Sequence, residues 1–97
     1  LGDRFDVASA ERWGLVNRVV ADGELDTETE TLATRLAAGP THAYAHTKAL
    51  MNESLSNTLH QQLDAETLAF ADCAVTDDFN EGVTAFNAKR KPEFKGR

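Results

Sequence analysis

The feature that most limits the possible folds is a helical repeat of apolar residues in the second half of the chain. The repeat follows the i, i+4, i+7 spacing over about five turns, at Leu55, Leu59, Leu63, Thr67, Phe70 and Ala74. Alternating apolar and polar residues, which are typical of a half-buried strand, occur only at residues 15–20. We expect those residues to be briefly extended, but they are too few to form a sheet by themselves. The sequence therefore predicts a mainly α fold.

Capping residues and helix breakers divide the first half of the chain into three helices. Asp6 can cap a short helix over residues 8–13, and Gly14 can end it. A second helix should follow Asp22 and end before Gly39, with one apolar face made by Leu25, Leu32, Ala33, Leu36 and Ala37. Because proline is tolerated in the first turn of a helix, Pro40 can open a third helix over residues 40–53.

Two more helices are predicted in the second half, which makes about five in all. Ser56 or a near neighbour should cap the fourth helix, which carries the long apolar repeat. The fifth helix should begin at residues 76–78, and Phe79, Val83 and Phe86 share one of its faces. It should end near residues 89–91, because the residue before Pro92 is pushed out of the helical region.

Length and composition indicate one folded domain, or part of one, over residues 1–97. No apolar run approaches the about 20 residues of a membrane span, so we expect no membrane partner. A single cysteine, Cys73, cannot form an internal disulfide, which favours a reducing, cytoplasmic setting. Its apolar neighbours predict a packed thiol rather than a reactive one.

Positive charge is concentrated at the end of the chain. Residues 89–97 hold five basic residues and one acidic residue, a net charge of +4, so the other residues carry −10 of the total of −6. Phe86, Lys89 and Arg90 have i, i+3 and i+4 spacing, so an aromatic ring and cations could meet on one helix face and bind a purine and its phosphate. The alternative is a fraying basic helix end. The acidic remainder argues against nucleic acid as a partner.

Other candidate groups have structural explanations. His42 and His46 have the i, i+4 spacing of metal-binding histidines, but no third ligand is evident beyond His60, so we expect exposed histidines and no metal site. Asp77 and Asp78 fit helix capping and the helix dipole. Glu66 lies beside the apolar repeat, and we favour a structural or solvated role for it. Phosphate-binding glycine loops and nucleophile motifs are missing from the sequence, so the residues alone specify no reaction.

Three segments nevertheless resemble the C-terminal part of the crotonase superfamily, the enoyl-CoA hydratases and isomerases. Residues 1–20, which contain Gly-Leu-Val-Asn at 14–17, are similar to one family segment. Residues 36–40, Leu-Ala-Ala-Gly-Pro, followed by Lys48, are similar to the helix pair after it. Residues 76–94 are similar to the family's closing segment, the most specific of the three. Trp13 before Gly14 is reminiscent of members that act on ring-derived acyl-CoA compounds.

The resemblance implies the helical, oligomerising region of the crotonase fold, without the N-terminal spiral that supplies the oxyanion hole and catalytic carboxylates. It implies an acyl-CoA substrate, no cofactor beyond the CoA of that substrate, and a trimer or dimer of trimers. Phe86 and Lys89 match family positions near the adenine and 3′-phosphate of CoA. We therefore expect no catalytic residue within these 97 residues, and the chain alone should be inactive.

A second interpretation is an independent α-helical module that binds a protein partner through its apolar stripes. The absence of an initiator methionine at residue 1, together with the resemblance that begins there, favours a fragment of a longer enzyme. Exposed apolar faces would make such a fragment self-associate.

Overall fold

Five α-helices make up the regular structure in the computed structural model, which describes residues 2–97. They are α1 (Val7–Arg12), α2 (Leu25–Ala37), α3 (Thr41–Glu53), α4 (Leu59–Ala74) and α5 (Asp77–Asn87). Residues 2–97 contain no β-strand, which confirms the mainly α prediction. Each of these helices falls short of the length and hydrophobicity that a bilayer crossing requires. Contacts divide the chain into two compact units, Leu1–Ala33 and Thr34–Arg97, and the single domain over residues 1–97 stays a prediction.

In the first unit, α1 begins and ends where its capping residues predict. The Asp6 carboxylate accepts a hydrogen bond from the Ser9 N–H at 2.7 Å. At the other end, the N–H groups of Gly14 and Leu15 donate to carbonyls of the last turn, at 3.0 and 2.9 Å. Gly14 has φ +73°, a left-handed conformation that glycine adopts without steric cost. Both predicted ends of this helix are confirmed to within a residue.

The predicted extended segment at residues 15–20 does not form a strand. A strand needs a partner for its backbone N–H and C=O groups, and side-chain carboxylates supply contacts here instead. The Val19 N–H donates to the Glu11 carboxylate at 3.3 Å, and the Arg18 guanidinium pairs with the carboxylate of Glu28 on α2.

α3 begins one residue after Pro40, and α4 is capped by a near neighbour of Ser56. Pro40 lies just before α3, at its N-cap position, rather than inside the helix. α4 begins after Thr58, whose hydroxyl accepts from the Gln61 N–H at 3.4 Å, while the Gln61 side chain accepts from the Thr58 N–H at 2.8 Å. This reciprocal pair is the capping box. Leu55 therefore lies outside α4 and is 90% exposed, so its place in the helical repeat was wrong.

The second unit packs through small residues. α4 contacts both α3 and α5, and the buried apolar side chains in this unit are Ala69 on α4 and Ala85 on α5. Among the described residues, no large side chain is fully buried. The larger apolar residues that form the predicted stripes are instead exposed, as Phe70 and Leu63 of α4 show at 64% and 51%. The stripes are thus surfaces rather than a core.

Asp78 is the buried acidic residue that holds the end of the chain. It is only 4% exposed, and its two carboxylate oxygens accept hydrogen bonds from the N–H groups of Lys95 and Gly96 at 2.6 and 2.8 Å. The Asp78 N–H donates to the Arg97 carbonyl at 2.9 Å. The cap of α5 is Thr76, whose hydroxyl accepts from the Phe79 N–H at 3.1 Å. Capping alone was therefore the wrong explanation for Asp78.

We predict that Asp78→Asn releases the last residues of the chain, because an amide N–H₂ would face a backbone N–H donor. Hydrogen bonds to a charged acceptor contribute about 1.5–3 kcal/mol, so the opening free energy of this segment should fall by about that amount. Amide hydrogen exchange at Lys95 and Gly96 measures it. Asp77→Asn is the matched control, because the Asp77 side chain is exposed and lies 3.7 Å from the Arg97 guanidinium. Equal acceleration in both variants would contradict the assignment.

Candidate functional site

The end of α5 is a tight turn centred on Lys89. The helix ends at Asn87, earlier than the predicted residues 89–91. The N–H of Lys89 donates to the Phe86 carbonyl at 3.1 Å, and the N–H of Arg90 donates to the Ala85 carbonyl at 3.0 Å. This pair of bonds is the Schellman arrangement, which usually places glycine at the left-handed position. Lys89 occupies that position with φ +53°, and no other described non-glycine residue has a positive φ.

The conformation of Lys89 stores local strain. A left-handed conformation costs a residue with a Cβ about 1–2 kcal/mol, and such positions are concentrated at functional sites. The turn also reverses the chain, so Lys89 and the residues after it leave the helix. The predicted arrangement, in which Phe86, Lys89 and Arg90 share one helix face, was therefore wrong.

Arg90 folds back onto α5 instead of facing outward. Its two terminal nitrogens donate to the two carboxylate oxygens of Glu81 at 2.6 and 2.8 Å. The Glu93 N–H also donates to Glu81, at 2.8 Å. Glu81 thus fixes the chain after the turn from two points. Sequence reasoning missed Glu81, because a pair nine residues apart falls outside helical spacing.

This contact changes the ionisation of both partners. The bidentate hydrogen bond from Arg90, followed by the backbone N–H of Glu93, lowers the pKa of Glu81 to about 2. The same hydrogen bond raises the pKa of Arg90. Arg90 is consequently paired within the chain, and its binding role stays a prediction.

Phe86 and Lys89 are exposed, as is Arg90, whose side chain is 44% exposed although it is paired with Glu81. Phe86 is 84% exposed on the last turn of α5, and Lys89 is exposed three residues later. Across residues 2–97, no carboxylate forms an ion pair with Lys89. An exposed aromatic ring near an unpaired ammonium can stack a planar group and attract an anion. Their binding role stays a prediction.

A second cluster joins α3 to α4 and involves the two histidines. The Asp72 carboxylate oxygen Oδ2 lies 3.2 Å from Nε2 of His42 and 2.8 Å from Nε2 of His46. The imidazole ring centres are 4.9 Å apart. Hydrogen bonds from His46 and then His42 lower the pKa of Asp72. Both histidines and Cys73 are half-buried, so the histidines are less exposed than expected, and the packed thiol stays a prediction.

Glu66, the other carboxylate that the sequence singled out, has a local polar partner. It accepts a hydrogen bond from the Gln62 side chain at 3.1 Å on the same helix. The structural or solvated role favoured for it agrees with this contact.

The whole chain matches a family model described as Enoyl-CoA hydratase/isomerase, over residues 1–97. It is 37% identical over 97 residues to the 1,2-epoxyphenylacetyl-CoA isomerase of Escherichia coli K12, covering 100% of this chain and 37% of that protein. It is 43% identical over 96 residues to a protein named probable enoyl-CoA hydratase in Rhizobium meliloti 1021, covering 99% and 37%. A crystal structure of an enoyl-CoA hydratase from Polaromonas sp. JS666 is similar with a TM-score of 0.90 and 36% identity, covering 97% and 37%. The chain thus spans little more than a third of the length of these relatives.

We predict that Arg90→Ala raises the pKa of Glu81 from about 2 toward its ordinary value of 4.5. Because folding lowers this pKa, the contribution of Glu81 to stability is complete above about 4.5 and is lost as the pH falls toward 2. NMR titration of the Glu81 carboxyl carbon gives the midpoint directly. Lys91→Ala, which removes a neighbouring cation, should leave that midpoint near 2; a midpoint unchanged by Arg90→Ala would rule out the pairing as the cause.

Proposed function

We propose, since this chain belongs to the enoyl-CoA hydratase/isomerase family, that it is the helical part of an enzyme that acts on acyl-CoA thioesters. The match over all 97 residues carries this proposal. Two of the relatives named above are a hydratase and an isomerase, and both match along the same region. Hydration or isomerisation of a double bond near the thioester is therefore the proposed reaction class.

We place the catalytic groups outside these residues. An enolate-like charge on the thioester requires preorganised N–H donors, and proton transfer requires a positioned acid or base. Two carboxylates could be considered as such an acid or base, Glu66 beside the apolar repeat and the buried Asp78. Both already have partners, since Glu66 accepts a hydrogen bond from Gln62 and Asp78 accepts one from the Lys95 N–H. The 97-residue chain alone should therefore be inactive.

The proposed contribution of the chain to the substrate site is CoA binding. Phe86 would stack on the adenine, and Lys89 would pair with the 3′-phosphate. Arg90, which the sequence also predicts as a CoA contact, is paired with Glu81, so we propose that it positions the turn. No resident cofactor is proposed, because CoA enters as part of the substrate.

The exposed apolar faces support assembly with other copies of the chain. On α5, Phe79, Val83 and Phe86 follow i, i+4, i+7 spacing and are 37%, 48% and 84% exposed. Contiguous apolar surface of this kind usually marks an interaction site. We propose a trimer or dimer of trimers, with neither nucleic acid nor membrane as partner, and a cytoplasmic location given one unpaired cysteine. The same faces would also suit an independent interaction module.

We predict that two substitutions at Lys89 weaken CoA binding by about 10- to 100-fold, the loss expected for one charged hydrogen bond. Lys89→Ala removes the ammonium and retains the strained backbone. Lys89→Gly also removes the ammonium but relieves the strain, so it should stabilise the chain by about 1 kcal/mol. Isothermal titration with CoA and thermal unfolding measure the two effects separately.

Lys91→Ala is the matched control, since it removes an equal charge two residues away and should leave the affinity nearly unchanged. If Lys89→Gly and Lys91→Ala lost the same CoA affinity, the loss of one positive charge near the chain end would explain the effect without a specific contact. If the wild-type chain in a folded oligomer bound no CoA, the CoA site would need the proposed catalytic part of the enzyme as well.

We predict that the isolated chain self-associates through its apolar faces. Sedimentation equilibrium should show an average mass above the 10.6 kDa of one chain, and the mass should rise with concentration. Replacing Phe86 and Val83 with serine should shift the distribution toward monomer while circular dichroism remains helical. A single monomeric species at high concentration would contradict the prediction.

A further inference from the structure

The cluster between α3 and α4 contains more potential metal ligands than the sequence suggests. His42 and His46 lie one turn apart on α3, and Cys73 lies on α4. One ligand atom of each residue lies within 4.8 Å of the others. Asp72 adds a carboxylate oxygen at 2.8 and 3.2 Å from the two imidazole Nε2 atoms. The sequence argument against a metal depended on a missing third ligand, and the fold supplies one.

The donor set matches the preferences of Zn²⁺. Imidazole nitrogen, thiolate sulfur and carboxylate oxygen are its usual ligands, and structural sites hold it in a tetrahedron of four. Ligand atoms around such an ion stand about 3.3–3.6 Å apart, given bond lengths of about 2.0–2.3 Å. To reach such distances from a separation of up to 4.8 Å, the ligand atoms must approach one another by up to about 1.5 Å.

The surroundings of the cluster also suit a metal site. His42 and Cys73 line one side of a cavity of about 310 Å³, whose other lining residues are mostly apolar and include Ala43, Phe79 and Val83. An apolar shell limits solvent access and strengthens electrostatic interactions within it. Asp72, beside the cluster, is exposed, which gives an ion a route in from solvent.

We propose that His42, His46 and Cys73 bind a zinc ion that joins α3 to α4, with Asp72 hydrogen-bonded to the two imidazoles beside it. Water would fill the remaining coordination position. A unit whose buried apolar side chains are alanines gains little from a core of large side chains, and a cross-link between its two longest helices stabilises it directly. The inference is independent of CoA binding, because the site uses neither Phe86 nor Lys89.

The first test is a Zn²⁺ titration of the metal-free 97-residue chain in competition with a chromophoric chelator. One ion should bind per chain, and the melting temperature should rise with the free zinc concentration. Co²⁺ serves as a spectroscopic probe, since a thiolate ligand gives a charge-transfer absorption in the near ultraviolet. That absorption should vanish in Cys73→Ser, which preserves the shape of the side chain.

Matched variants decide whether the cluster itself binds the ion. Cys73→Ser and His46→Ala should each lower zinc affinity by at least about tenfold, and Asp72→Asn by about 10- to 100-fold. His60→Ala is the control, because it removes an exposed histidine from α4 outside the cluster. Circular dichroism of each metal-free variant should match that of the metal-free wild type. Equal zinc affinity in the wild type and in Cys73→Ser, or an equal loss in His60→Ala, would overturn the proposal.

Discussion

The buried apolar side chains of residues 2–97 are alanines, at Ala10, Ala69 and Ala85, and this limits everything else in the structure. Small side chains let helices approach closely, but they remove little apolar surface from water. Stability within each unit therefore depends heavily on capping, on backbone hydrogen bonds and on a few polar contacts. The larger apolar residues remain on the surface, where they can contact other polypeptide chains.

Two carboxylates on α5 hold the end of the chain by hydrogen bonds, where a larger protein would use buried apolar side chains. Asp78 and Glu81 lie one turn apart and bind the returning chain through five hydrogen-bond donors, two from the Arg90 guanidinium and one each from the N–H groups of Glu93, Lys95 and Gly96. With the chain anchored after the turn, Lys89 is held in a left-handed conformation that a free helix end would avoid. The local strain and the anchors belong to one arrangement, which places Lys89 three residues after the exposed Phe86.

The Thr34–Arg97 unit thus carries two candidate sites of different chemistry. One is the turn after α5, where a ring and an ammonium suit a nucleotide end such as that of CoA. The other is the cluster of histidines, cysteine and aspartate between α3 and α4, whose donors suit a transition metal. Phe86 and Lys89 belong to the first site only, and the two sites share no residue. The two proposals can therefore be tested by separate variants.

Local sequence determined the class and most of the boundaries of the fold, because caps and helical periodicity act over three or four residues. Asp6, Gly14 and Thr76 mark helix ends in the structure as they do in the sequence. Sequence similarity also identified the family and selected Phe86 and Lys89. Errors arose where a contact spans more residues: Glu81 with Arg90, Asp78 with the chain end, and Asp72 with histidines 26 and 30 residues away. Only the packing of α4 against α3 and the return of the chain along α5 could bring those groups together, since no local pattern records a distance through space.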